Sequence, residues 1–184
     1  MAIPKTLNQG LDRIVRPTID WRSRSLSAFQ VCGVTGLALA ILLAMGLVSA
    51  RGLSPWVMAA IVGVAVGTFF VVAFATKIVR GEEQLVYYHH EIAVMSMAAL
   101  ALWVLRQPVL AYLDATILGV GLFLACGRVG CFMVGCCHGR PHHWGVCYGQ
   151  DHARAGFPSY LVGVRLFPIQ LLETLLAMTI VAAS

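Results

Sequence analysis

The feature that most constrains this chain is a series of long apolar runs joined by short polar connections. The run Ala28–Ala50 contains no charged residue, similar runs cover residues 55–76 and 108–127, and shorter ones cover 90–105 and 169–184. A transmembrane helix needs about 20 apolar residues. Only 11% of the residues are charged and 59% are hydrophobic, whereas soluble domains carry about 25% charge. The sequence therefore predicts an all-α integral membrane protein, a polytopic bundle of about five transmembrane helices.

Two polar regions flank or interrupt these runs. Residues 1–27 form a basic arm, which we expect to lie at the membrane interface as an amphipathic helix. Residues 28–184 form the transmembrane bundle, with a polar loop at 138–167 in which "WGVCY" predicts a short extended segment and "AGFPSY" a turn. The net charge is +5, but no basic stripe is interleaved with aromatic residues, so we expect no nucleic-acid partner.

Several ionisable side chains lie at the ends of the apolar runs, where they are costly and generally functional. They are His89 and His90 before the third run, Arg128 after the fourth, Arg140 in "HGRP", and Arg165 and Glu173 around the last run. Gln170 lies three residues before Glu173, so the two share one helix face. Paired guanidiniums suit phosphate, and a phospholipid head group is the abundant phosphate at a membrane. The pattern predicts a polar cavity for a phospholipid, although a single arginine at a helix end also serves as an interfacial anchor.

The segment "GRVGCFMVGCCHGR", residues 127–140, combines glycines, arginines and cysteines. Gly127 and Gly130 indicate close helix packing or a turn near a ligand. Cys131 follows Arg128 by three residues, and a neighbouring guanidinium favours a thiolate, so we predict Cys131 to be the most reactive thiol.

Three states remain open for the cysteines of this region. A zinc site has histidines nearby, but no C-x-x-C pair is present, and the leading prediction has neither metal nor cofactor. A disulfide between Cys147 and either Cys131 or Cys136 is the second alternative. Free thiols are the third.

These segments resemble, in order, the motifs of the prolipoprotein diacylglyceryl transferase family. "GRVGCFMVGCCHGR" is similar to that family's signature, and "LDATILGVGLFLACGR" to its fourth span. "FPIQLLE" resembles its R-H-P-S-Q-L-Y-E element, and "YYHHEIAV" falls where the family has H-G-G-L. The resemblance covers about residues 26–175. Cys131, Val134 and Cys136 stand where the family has two asparagines and a glutamate.

The resemblance implies a multi-pass enzyme of the bacterial plasma (inner) membrane. Such an enzyme moves diacylglycerol from phosphatidylglycerol to the cysteine of a lipoprotein precursor. It implies these site residues: His89 or His90 as base, Arg128 at the phosphate, Arg140 or Arg165 as a second clamp, Glu173 and Gln170 as orienting groups, and Gly127, Gly130 and Cys131 beside the substrate. The alternative is a non-catalytic or metal- or thiol-binding membrane protein on the same scaffold.

Overall fold

The structure, a computed structural model, is mostly helical and describes residues 3–22, 24–80 and 87–184. In chain order its elements are α1 (Ile3–Ile14), β1 (Thr18–Trp21), β2 (Arg24–Ser27), α2 (Ala28–Ala50), α3 (Pro55–Arg80), α4 (Tyr87–Val104), α5 (Val109–Val134), β3 (Pro141–Cys147), α6 (Gln150–Arg154), a 3₁₀ turn (Ser159–Leu161), β4 (Arg165–Leu166) and α7 (Ile169–Ala183).

Among the described residues, three helices are long and apolar enough to cross a membrane: Ala28–Ala50, Pro55–Val79 and Val109–Val134. Two further apolar helices, His89–Val104 and Ile169–Ala183, are shorter. All five occur where the sequence predicts a span, and the chain is a multi-pass membrane protein. Whether the two shorter helices also cross the bilayer stays a prediction.

One helix boundary differs in a way that matters for function. The fourth span was expected to end at Gly127, but α5 continues to Val134. The helix ends instead at Gly135, which has a φ of +86°, and its N–H donates to the Cys131 carbonyl over 2.9 Å. Glycine adopts a positive φ without steric cost, so it commonly terminates a helix. Arg128 and Cys131 therefore lie within α5 and not beyond it.

The protein is mostly helical, as predicted, and its two polar segments add small antiparallel sheets. In the arm, β1 and β2 form a hairpin with Thr18 opposite Ser27. In the polar loop, β3 pairs with β4, with Cys147 opposite Arg165. β3 contains the first four residues, 144–147, of the extended segment predicted from "WGVCY". These segments are too polar to join the apolar bundle. Pairing as short strands satisfies backbone N–H and C=O groups that would otherwise lack hydrogen bonds.

The chain divides into two compact units, Met1–Ala38 with Gly121–Ser184, and Leu39–Val120. The core of the second unit combines alanines with larger apolar side chains. It contains Ala44, Val48, Met58, Ile61, Ala98, Leu102, Tyr112 and Ala115. The buried Tyr112 hydroxyl accepts the Ser54 N–H over 3.0 Å just before α3 begins. Small residues let apolar helices approach closely.

The first unit has a different kind of core, formed where the polar loop folds over the end of α5. Its buried residues are Val15, Phe132, Val146, Tyr148, Phe157 and Leu166. Leu11 of α1 packs against this core beside Val15, the residue after the helix. The Asn8 carboxamide oxygen accepts the Gly145 N–H over 2.8 Å. The N-terminal helix is thus packed on the polar loop in addition to any contact with a membrane surface.

Candidate functional site

The centre of the candidate site is an ion pair between two helices of the first unit. Arg128 on α5 approaches Glu173 on α7, with 3.1 Å between Nε and Oε2. The side chains are 25% and 41% exposed. The separation is that of an ion pair, but the angles are not those of a hydrogen bond, and Oε2 has no hydrogen-bond donor among the described residues. The structure thus brings together two of the charged groups that the sequence singles out.

Close packing between α5 and α7 holds this pair. The Thr174 hydroxyl lies 2.9 Å from the Gln170 carbonyl within α7 and 3.3 Å from the Ala125 carbonyl of α5. A Cβ added at Gly121 would come within 3.0 Å of the Val181 side chain. Arg128 follows Ala125 by one helical turn and Glu173 precedes Thr174, so the interhelical contact sets the distance between the two charges.

Gln170 is completely buried and connects α7 to the turn that follows α5. Its Nε2 donates to the Cys136 carbonyl over 2.8 Å. The Tyr148 hydroxyl donates to the Phe132 carbonyl over 2.9 Å. Burial raises the pKa of Tyr148 well above its usual range, so the phenol remains a neutral donor. Gln170 Oε1 has no hydrogen-bond partner within the part of the chain that the structure describes.

Arg165 is engaged by a residue that the sequence did not single out, Asp12 of α1. Arg165 Nη2 and Nη1 donate to the two Asp12 carboxylate oxygens over 2.8 and 3.1 Å, and Nη1 also donates to the Gly145 carbonyl over 2.6 Å. The Cys147 N–H donates to Asp12 Oδ1 over 2.8 Å. The hydrogen bond with Asp12 raises the pKa of Arg165. This two-pronged contact gives Arg165 a structural role, attaching α1 to β3 and β4.

The remaining candidates of the signature segment lie in different surroundings. Arg140 is exposed in the loop before β3, where its carbonyl accepts the Phe167 N–H over 3.0 Å. A Cβ added at Gly130 would come within 3.1 Å of the Cys32 Cβ on α2, whereas one at Gly127 would have no described atom within 4 Å. The packing of α5 against α2 therefore leaves little room for a side chain at position 130, whereas position 127 is open.

The two histidines lie at the start of α4, in the second unit. His89 is exposed, whereas His90 is buried with 3% of its surface accessible. The His90 ring lies 4.9 Å from the Phe69 ring of α3, measured between centroids. The two neighbours that the sequence could not separate therefore have very different access to their surroundings.

A scan against protein-family models matches residues 22–183 to the prolipoprotein diacylglyceryl transferase model. The chain belongs to this family. No curated protein matches it in a direct sequence search. Membership confirms the resemblance to this family, and it makes the chain a membrane protein of a transferase family. The Arg128–Glu173 pair lies within the matched region.

The cysteines are the remaining chemical groups of the matched region. All six are free thiols, so the disulfides considered between Cys147 and Cys131 or Cys136 are not formed in this structure. The sulfurs of Cys131, Cys136 and Cys137 lie within 4.8 Å of one another. They form a three-thiol cluster at the end of α5.

Within this three-thiol cluster, the expectation that Cys131 is the most reactive thiol is wrong. Cys131 is buried, and Cys136 is exposed. A hydrogen bond with the Cys131 side chain lowers the pKa of Cys136. The neighbouring thiol thus favours a thiolate at the accessible position, an effect that separation from Arg128 along the sequence does not reveal.

Proposed function

We propose that the chain transfers a diacylglyceryl group from an anionic phospholipid, phosphatidylglycerol by the family resemblance, to the thiol of an acceptor such as a lipoprotein precursor. The observation that carries the proposal is the Arg128–Glu173 pair, formed between α5 and α7 at 3.1 Å inside the family match. We place the activity in the bacterial inner membrane, again by the resemblance.

The reaction defines what each group does. The acceptor sulfur attacks the diacylglyceryl carbon, the S–C bond forms, and the bond from that carbon to the phosphate oxygen breaks. Glycerol phosphate leaves, and the thiol proton passes to a base. Negative charge gathers on the leaving phosphate, so a positioned guanidinium stabilises the transition state more than the ground state.

Arg128 suits this task because its charge is held in place. The shortest contact with Glu173 involves Nε, the guanidinium nitrogen nearest the main chain. The terminal Nη groups, which give arginine its two-pronged binding of phosphate, lie beyond that contact. Glu173 is therefore proposed to orient Arg128, and Gln170 to fix the adjoining turn through the Cys136 carbonyl.

The other proposed roles rest on exposure and on the resemblance. Arg140 is exposed and is the proposed second phosphate contact, because Arg165 is bound to Asp12. Of the two histidines, His89 is exposed and is the proposed base, because a base must reach the proton it removes. Gly127 is proposed to leave space for substrate beside Arg128, since no described atom lies within 4 Å of an added Cβ there.

Rescue of a bacterial strain depleted of its own diacylglyceryl transferase tests the proposal. The parent chain should restore growth and lipoprotein modification, and Arg128→Lys and Glu173→Gln should not. The chain offers a matched control in the exposed Arg154–Asp151 pair, whose side chains are 80% and 77% exposed, so Asp151→Asn should rescue fully. Absence of rescue by the parent chain, with the protein present in the membrane at normal abundance, would refute the proposed activity.

A further inference from the structure

The three-thiol cluster is formed by a specific backbone turn. Cys131 lies in the last turn of α5, and the chain reverses through Gly135 and Cys137, whose φ values are +86° and +51°. A positive φ is uncommon for a residue with a side chain, and such outliers concentrate at functional sites. The turn brings the sulfurs of Cys136 and Cys137 to within 4.8 Å of the Cys131 sulfur.

Contacts outside the cluster hold the turn. The Gln170 side chain donates to the Cys136 carbonyl over 2.8 Å, and Gly135 lies so close to Phe157 that an added Cβ would come within 2.7 Å of its ring. Cys131 is buried, whereas Cys136 and Cys137 are exposed. The turn is thus held by contacts outside the cluster, and two of its three thiols are accessible to solvent.

The spacing of the sulfurs is close to that of a three-coordinate metal site. With metal–sulfur bonds of about 2.3 Å, three sulfurs around one ion lie about 4 Å apart, a distance that small side-chain rotations reach from the observed cluster. Among the described residues, the group of potential ligands consists of these three cysteines, without a histidine or carboxylate as a fourth ligand. Structural zinc sites use four ligands, whereas soft thiolates select Cu(I), a d¹⁰ ion that accepts three.

A positively charged side chain lies near the cluster. Arg128 lies three residues before Cys131 on α5. Three thiolates around one monovalent cation carry a net charge of −2, which a neighbouring guanidinium partly offsets.

We propose that Cys131, Cys136 and Cys137 bind one Cu(I) ion in a three-coordinate thiolate site. Binding replaces the three thiol protons, which pass to the solvent, and no electron is transferred. The site does not depend on the transferase activity, and its test reads metal binding alone.

The experiment titrates the full-length protein in detergent with Cu(I), without oxygen, against a competing Cu(I) chelator. The expected result is one ion per chain, with X-ray absorption showing three sulfur neighbours at about 2.3 Å. Serine at any one of the three positions should weaken binding at least 100-fold. Cys147→Ser is the matched control and should bind as the parent does, because this thiol lies on β3 outside the cluster.

Three results would overturn the proposal. The first is an unchanged Cu(I) affinity when all three cysteines are replaced by serine. The second is a loss of binding in Cys147→Ser as large as that in the single variants of the cluster. The third is an X-ray absorption spectrum of the parent protein that shows fewer than three sulfur neighbours. The spectrum uses the unmodified chain, so it decides the question even if a serine variant fails to fold.

Discussion

Replacing Asp12 with alanine should loosen α1 from the polar loop. The substitution removes both hydrogen bonds from Arg165, at 2.8 and 3.1 Å, and the one from the Cys147 N–H. Hydrogen bonds to a charged group contribute about 1.5–3 kcal/mol each when buried, and exposed ion pairs about 0–1 kcal/mol. Because the two charged side chains are 28% and 30% exposed, we expect a loss of about 2 kcal/mol, between these limits.

Hydrogen exchange measured by mass spectrometry on the full chain in detergent is the appropriate assay, because the loss is local to α1 and β3. A loss of about 2 kcal/mol lowers exchange protection about 30-fold. Asp151→Ala, which breaks the exposed pair with Arg154, should change protection of its own segment less than about threefold. The double variant of Asp12 and Arg165 should lose less than the sum of the two single losses.

Equal effects of Asp12→Ala and Asp151→Ala would refute the reasoning. So would additive losses for Asp12 and Arg165, because additivity would mean that the two side chains do not stabilise each other. Either result would mean that Asp12 does not hold Arg165 in place, so Arg165 would again be a candidate for binding phosphate.

Three further predictions concern the first unit. Gly145→Ala should lower the free energy of unfolding by about 3 kcal/mol, because φ is +140° and the added Cβ would overlap a backbone carbonyl of β4. As a control, Gly149→Ala should leave the melting temperature nearly unchanged, because a Cβ there has no described atom within 4 Å. Burial lowers the pKa of His152, so the folded state disfavours the proton that the unfolded chain binds below about pH 6.5. Melting temperature should therefore fall on acidification from pH 7 to 5 and fall less in His152→Gln; equal slopes would contradict this. Maleimide should label the exposed Cys136 at least tenfold faster than the buried Cys131 in metal-free, reduced protein, and the reverse order would contradict the cysteine geometry.

The long helices could be predicted from the sequence because each needs only a local property, an uninterrupted apolar run. The end of α5 could not. In the sequence, Gly127 and Arg128 resemble the end of a span. In the structure, Phe132 and Met133 continue the apolar surface of the helix, and Glu173 forms an ion pair with Arg128. The Glu173 carboxylate, 45 residues away in sequence, thus balances the charge of Arg128, and α5 continues beyond it to Val134.

The interactions that organise the polar loop are even less visible in the sequence. Asp12 and Arg165 are 153 positions apart, and nothing local in the arm marks Asp12 as a partner for a strand near the C-terminal helix. The crowding of cysteines between 131 and 147 was visible, but which three converge depends on the reversal at Gly135 and Cys137. The face shared by Gln170 and Glu173, in contrast, follows from helical spacing alone.

The most direct test of the central claim measures diacylglyceryl transfer by the purified chain in micelles containing phosphatidylglycerol, with a peptide that carries the acceptor cysteine. Mass spectrometry should detect the diacylglyceryl thioether and an equal amount of glycerol phosphate. Arg128→Lys should reduce the rate about 100-fold or more, the usual cost of losing a group that stabilises developing charge, whereas Arg154→Lys should react as the parent does. No thioether from the folded parent protein, or an unchanged rate in Arg128→Lys, would contradict the account.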